Sequence, residues 1–273
     1  MEGRLHKKSI VIIGGTGGLG LSAAHACAAE GANLVLVGRD ETRLATALQD
    51  VAGARGIVGD AMESSTAERA IQEAVQHFGK LDGLYHVAGG SGRRLGDGPL
   101  HEITDEGWQY TIDLNLRSLF YANRAAIRQL LEQGNGGSVV NMSSVLADSP
   151  SPKYFATHTY AATKAGAIGL TRAAAAYYAP QSIRFNAVAP ALFATPLASR
   201  ALGDPAIMDY VASKQPLDGG RAGHPQDLDE AVVFLLSDAA RFMTGQVLQI
   251  DGGWSVTEGQ HPTPPVRLQT DNS

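Results

Sequence analysis

Three observations predict a doubly wound α/β fold, a single seven-stranded parallel sheet with helices on both faces. Short runs of branched apolar residues alternate with longer helical segments along almost the whole chain. Those runs are apolar at successive positions rather than at every second one, as strands buried on both faces require. No internal repeat or domain-scale linker breaks the alternation. One domain is therefore expected over residues 1–257, followed by a proline-containing tail over 258–273.

Each element has its own reason. Residues 9–13 form a β-branched run that ends in glycines, and 19–30 a helix that Gly31 stops. Residues 33–37 read as the second strand, with Asp40 as N-cap of a helix through 49. A short strand at 56–58 precedes a helix at 66–78 closed by Gly79, and 84–87 is the fourth strand. After a glycine-rich loop, one long helix is expected over 105–133, with Thr104 as its cap. Strand 138–142, helix 158–178 stopped by Pro180, and strand 183–188 follow. Residues 196–214 are helical in part, but Gly203 and Pro205 interrupt them, so a mobile flap is expected. Helix 226–237 and strand 247–250 complete the domain.

The totals narrow the function classes. A net charge of −5, with no basic run longer than a pair, argues against a nucleic-acid surface. The polar N-terminus does not resemble a signal peptide, and no apolar run approaches a membrane span, so a cytoplasmic location is expected. The single cysteine, Cys27, forbids an internal disulfide and reads as core packing.

The first strand runs into Gly14-Gly15-Thr16-Gly17-Gly18-Leu19-Gly20 and then a helix. Glycines let backbone N–H groups approach an anion closely, and the helix N-terminus adds partial positive charge. Between a strand and a helix this is a dinucleotide pyrophosphate site of the Rossmann type. The spacing fits both Gly15-x-Gly17-x-x-Gly20 and Gly14-x-x-x-Gly18-x-Gly20. About 20 residues on, an NAD site places an acid against the ribose. Here the second strand ends in Gly38-Arg39, and Arg39 can pair with a 2′-phosphate, which favours NADP over NAD. Asp60, with the backbone of Ala61, is placed to meet the adenine.

Tyr160 and Lys164 lie four residues apart on one helix face. A cation fixed beside a phenol favours phenolate. Lowering a pKa near ~10 by three units takes about 4 kcal/mol, which requires a desolvated cleft and a second positive group.

These pieces together resemble the short-chain dehydrogenase/reductase family in its ordinary form. The match consists of Gly14-x-x-x-Gly18-x-Gly20, Asp60, Ala88-Gly89, Asn115, Ser143-Ser144, Tyr160-x-x-x-Lys164, Pro190 with Thr195, and Asp251-Gly252-Gly253. The resemblance implies a nicotinamide cofactor and an oxidoreductase acting on a carbonyl or secondary alcohol. It implies Ser144, rather than Ser143, as the group that bonds the substrate oxygen, and Tyr160 as general acid or base. Lys164 would lower the tyrosine pKa and bond the nicotinamide ribose, and Asn115 would hold a water in a proton relay. Gly14, Thr16, Gly17, Gly18, Leu19, Gly20, Arg39, Asp60, Ala61, Ala88, Gly89, Pro190 and Thr195 would join Tyr160 and Lys164 in holding the cofactor. A homotetramer or homodimer pairing the helices at 105–133 and 158–178 is the family expectation. A dinucleotide-binding redox sensor without turnover, and an epimerase or dehydratase of the extended relatives, are the rival readings.

The chain also departs from the family pattern. His86 and Val87 stand where two amides are usual, so altered bonding is expected there; His86 has no metal-spaced partner. The segment 149–158 lengthens the gap between Ser144 and Tyr160 and should overhang the substrate. The candidate lining is Leu95, Leu146, Tyr154, Phe155, Leu192, Phe193, Leu197, Met208 and Trp254, mostly apolar, which favours a hydrophobic ketone. Arg93 and Arg94 read as solvated loop charges, and His158 either reaches the substrate or caps its helix.

Overall fold

The computed structural model describes residues 2–260; the tail expected over 258–273 lies mostly outside the described residues. Strands β1 (Ser9–Ile13), β2 (Asn33–Gly38), β3 (Arg55–Val58), β4 (Gly83–His86), β5 (Gly137–Met142), β6 (Ile183–Pro190) and β7 (Val247–Ile250) form one sheet. Their order is β3-β2-β1-β4-β5-β6-β7, and every pairing is parallel. The winding therefore reverses between β1 and β4, which leaves a crevice beyond their carboxyl ends.

The runs without alternation are explained by two cores. Ile10 and Ile12 face one side of the sheet, where α1 (Gly18–Ala29), α2 (Glu41–Asp50) and α9 (Gln226–Leu236) pack. Val11 and Ile13 face the other, against α3 (Ser64–Phe78), α5 (Ser118–Gln133) and α6 (His158–Tyr178). Cys27 is wholly buried in the first core, where burial pushes its thiol up to about 12. Among the described residues no helix is long and apolar enough to cross a membrane.

One expectation needs correction. The helix expected over 105–133 is two helices, α4 (Asp105–Ile112) and α5, joined by a π turn at Asp113–Arg117. Within the turn the Ser118 N–H bonds Asp113 O, five residues back, while the Asn115 side chain claims Thr111 O at 3.0 Å. Propensity cannot reveal this, because the turn is a bonding event. The segment expected to be helical in part, with a break at Gly203 and Pro205, forms α7 (Ser199–Leu202) and α8 (Pro205–Lys214). Gly203 ends α7, and Asp204 caps α8 by accepting from Ala206 N and Ile207 N. A third cluster of Val145, Ala201, Ile207, Val211 and Trp254 ties these helices to the body.

The glycine turn shows which of its glycines serve the fold. A Cβ on Gly20 would lie 2.1 Å from Gly14 O, and Gly14 itself has φ +94°. Gly17 is extended, with φ 178°, and a Cβ there would meet no atom within 4 Å. We expect Gly20→Ala to cost about 3 kcal/mol of stability, since backbone must move. Gly17→Ala should leave the denaturation midpoint nearly unchanged; equal losses in the two variants would contradict this assignment.

Candidate active site

A cleft of about 1150 Å³ opens over the reversal point and contains most of the predicted residues. That exceeds the usual volume for one drug-sized ligand and suits a dinucleotide with a second molecule. A smaller cavity of about 620 Å³, around Arg184 and Thr244, holds none of the predicted residues.

The floor is the turn from β1 into α1. Gly14, Thr16, Gly17, Gly18, Leu19 and Gly20 all line the cleft, as do Asp60, Ala61, Ala88, Gly89 and Thr195. The fit to a dinucleotide rests on the open side of the turn: Gly17 lines the cleft, and a Cβ there would meet no protein atom within 4 Å, so its backbone is bare to a ligand. Gly14 and Gly38 pack against the protein itself, where a Cβ would lie 2.8 Å from Ala88 N and 2.4 Å from the Thr16 side chain. Asp60 is steadied by Met62 N, which donates to Oδ1 at 2.9 Å. Pro190 departs from expectation. It is buried at the end of β6, paired with Ile250, and the cleft is lined by Ala191 and Leu192 after it.

At the β2 end Arg39 is exposed on the rim, and Arg43 from the first turn of α2 lines the same rim. Asp40 does not compete for a ribose, because its carboxylate caps α2 by accepting from Arg43 N at 3.0 Å. Arg43 escaped the sequence reading; its spacing of four from Arg39 was the available signal.

The other end of the cleft holds the residues that the family resemblance marks as catalytic. Ser143 and Ser144 part company where β5 ends. The Ser143 hydroxyl donates to Lys164 O at 2.9 Å and is buried. Ser144 lines the cleft and accepts from Leu146 N at 3.2 Å. Tyr160 also lines the cleft, yet it sits deep enough that burial pushes its phenol pKa up, while the nearby Ser144 hydroxyl pulls it down. Burial therefore opposes the lowering expected from the Lys164 charge.

Lys164 is buried behind Tyr160, with Nζ 5.5 Å from the ring centroid and donating to Met142 O at 3.0 Å. Gly89 is required there, because a Cβ would come within 3.3 Å of Lys164 Nζ and 2.7 Å of Asn115 Oδ1. Asn115 braces the loop after β4: Nδ2 donates to Gly90 O at 2.9 Å, and Oδ1 accepts from Gly90 N at 3.0 Å. His86 lies beneath. Ser118 Oγ spends its proton on Leu114 O at 2.6 Å, so the 3.3 Å contact makes His86 Nε2–H the donor to Ser118. Burial, and then the Lys164 charge, press the imidazole down to about 3. It is a neutral strut for the π turn, which is the altered bonding expected at this position.

His158 opens α6 without capping it, and its own N–H donates to Gly98 O. The cap is Asp97, whose two oxygens accept from Thr159 N and Tyr160 N, each at 3.0 Å. Nothing in the sequence links Asp97 to a helix about 60 residues away. Leu95, Leu146, Phe155, Leu192, Phe193, Leu197 and Trp254 line the cleft as expected, while Tyr154 and Met208 pack against the third cluster. The 149–158 overhang leans on Trp254, whose Nε1 donates to Ser149 O at 3.4 Å and whose ring meets Phe155 edge-on.

Burial lowers the Lys164 pKa from 10.5 to about 8. Because the folded value is the lower one, the cost of burying the charge is fully present below pH 8 and is relieved as pH rises toward 10.5. The full difference corresponds to roughly 3 kcal/mol, offset in the variant by an unpaired Met142 carbonyl. We expect Lys164→Met to stabilise the ligand-free protein by about 1 kcal/mol at pH 7. The gain should shrink toward pH 10 in denaturant titrations; a less stable variant at pH 7 would contradict the burial cost.

The comparisons with known proteins agree with this geometry. A family model described as enoyl-(acyl carrier protein) reductase matches residues 14–255. The L-rhamnose 1-dehydrogenase (NAD(P)(+)) of Azotobacter vinelandii is 35% identical over 257 residues, covering 90% of this chain and 96% of that protein. The 2-(S)-hydroxypropyl-CoM dehydrogenase 3 of Xanthobacter autotrophicus is 34% identical, covering 93% and 98%. Among solved structures, a short-chain type dehydrogenase/reductase from Mycobacterium ulcerans superposes with a TM-score of 0.86 at 31% identity, over 93% of this chain and 91% of that one. With the sheet order, the glycine turn and the Ser144, Tyr160 and Lys164 cluster in place, the chain belongs to the short-chain dehydrogenase/reductase family.

Proposed function

We propose that the protein is an NAD(P)-dependent oxidoreductase that interconverts a secondary alcohol and a carbonyl, with NADP preferred over NAD. One observation carries this reading: Ser144 and Tyr160 open onto the same cleft as the glycine turn, with Lys164 buried directly behind them. When bound, the nicotinamide supplies or accepts the hydride. The turn amides and the N-terminus of α1 hold the pyrophosphate. Asp60 and Ala61 meet the adenine, and Ala88, Gly89 and Thr195 flank the cofactor's path. Arg39 and Arg43 offer two guanidinium groups to a 2′-phosphate.

Ser144 donates to the substrate oxygen, where negative charge grows during reduction. Tyr160 delivers its proton to that oxygen, and in the oxidative direction takes it back. Lys164 favours the phenolate and holds the ribose. Asn115 keeps the π turn beside Lys164, from which a water-borne relay runs to solvent. The largely apolar lining suits a hydrophobic ketone. We read the protein as a cytoplasmic homotetramer or homodimer. Its lone cysteine is a buried thiol, and Trp108, Phe120, Leu131 and Tyr177 are exposed on α4, α5 and α6.

Tyr160→Phe should lower kcat at least ~10³-fold against a carbonyl panel, monitored by reduced-nicotinamide absorbance, with cofactor affinity little changed. Equal rates in the two proteins would remove Tyr160 from the chemistry. Arg39→Ala combined with Arg43→Ala should raise the NADPH KM by about 10-fold or more, through lost charge-assisted bonds, and leave the NADH KM within about twofold. Matching increases for both cofactors would refute the phosphate role.

A further inference from the structure

The chain carries a net charge of −5, yet five arginines and a single acid, Asp60, line the cleft. Arg39 and Arg43 belong to the β2 rim. Arg93, Arg94 and Arg200 stand at the other end, with the apolar lining and the Ser144 and Tyr160 hydroxyls. All three are exposed, as solvated loop charges are, yet they line the cleft and their supports hold them there.

Arg93 begins a tight 3-10 turn, Arg93–Leu95, closed by Leu95 N to Gly92 O at 2.8 Å. Two residues on, Asp97 grips the backbone of Thr159 and Tyr160. The arginine turn is thereby held in register with the helix that carries the phenol. Arg200 is fixed from the opposite wall: its guanidinium donates to Tyr154 O at 3.1 Å and lies 5.8 Å from the Phe155 ring centroid. The two arginines are near enough to repel each other, and burial and Arg200 both work against the Arg93 cation, with Asp97 working for it. Asp97 has both oxygens committed to backbone donors. Among the described residues, neither Arg93 nor Arg200 has a carboxylate partner in a salt bridge. Two guanidinium groups that line one cleft without a carboxylate partner leave it able to take an anion.

We propose that Arg93 and Arg200 form a carboxylate subsite, so that the substrate is an oxo acid or hydroxy acid whose apolar middle spans from the reacting carbon to an anionic far end. This rests on the dehydrogenase reading above and specifies the class of its substrate. Leu95, Leu146 and Phe155 supply the apolar middle, and Ser144 and Tyr160 take the oxygen.

The test uses oxo carboxylates of increasing chain length, each paired with its methyl ester, assayed with NADPH. We expect kcat/KM for the best carboxylate to exceed that of its ester by at least ~10-fold, the factor that about 1.4 kcal/mol of added binding provides. Arg93→Gln combined with Arg200→Gln should bring that ratio near one, and the two Lys variants should restore part of it. Esters used as well as acids by the wild type, or a ratio unmoved in the double Gln variant, would overturn the subsite. So would NADPH affinity, read from its fluorescence, that falls as far as carboxylate kcat/KM, because the arginines would then serve the cofactor. If no ketone is turned over at all, the dehydrogenase reading fails by itself. Calorimetric titration of the same carboxylates into protein saturated with NADP+ then decides the subsite: binding lost in the double Gln variant supports it, and no binding overturns it.

Discussion

The reversal of winding between β1 and β4 is the constraint on which the site depends. Strands that lose their neighbour at the carboxyl end leave amides and carbonyls facing a crevice, and each must find a partner or a ligand. The chain answers this in two ways. On the β1 side it presents glycines, so that backbone rather than side chain forms the surface, with Gly14 nearly touching Ala88 across the gap. On the β4 side it braces the loop from outside the sheet, through the two bonds of Asn115 to Gly90. Asn115 can do this only because the π turn rotates it inward, and the turn is propped from below by Ser118 and His86.

Electrostatics then separates the two ends of the crevice. The Lys164 charge lies under the phenol with a single carbonyl partner, a placement that costs stability and is sensible only if the charge acts on what binds above it. Burial of the phenol works in the opposite sense, raising its pKa. The rim arginines are spaced along a surface whose parent chain is acidic overall. Positive potential concentrated in a cleft draws anionic ligands from solution, and the effect weakens as salt rises.

Much of this was legible beforehand, for identifiable reasons. Strands such as Ser9–Ile13, Val247–Ile250 and the helix His158–Tyr178 have boundaries set by local signals, glycine and proline above all, and they appear where those signals put them. The glycine turn and the Tyr160–Lys164 pair are legible in their spacing, whereas Ser144 is named only through the family resemblance. What escaped depends on contacts between distant parts of the chain. The π turn has no local signature, the Asp97 cap bridges the loop after β4 and α6, and the place of Arg200 in the cleft depends on how α7 folds. Ser143 shows the same division: adjacent to Ser144 and chemically identical, it is distinguished by the carbonyl of Lys164.

The Asp97 cap has a consequence for how such a protein changes over time. Its two bonds couple the loop after β4, which lines the cleft, to the helix that carries Tyr160. Residues 91–95 can therefore be rewritten, shortened in side chain or reversed in charge, while the anchor behind them keeps the distance to the hydroxyl constant. Recognition is free to drift on one side of Asp97, and the chemistry on the other side stays in alignment.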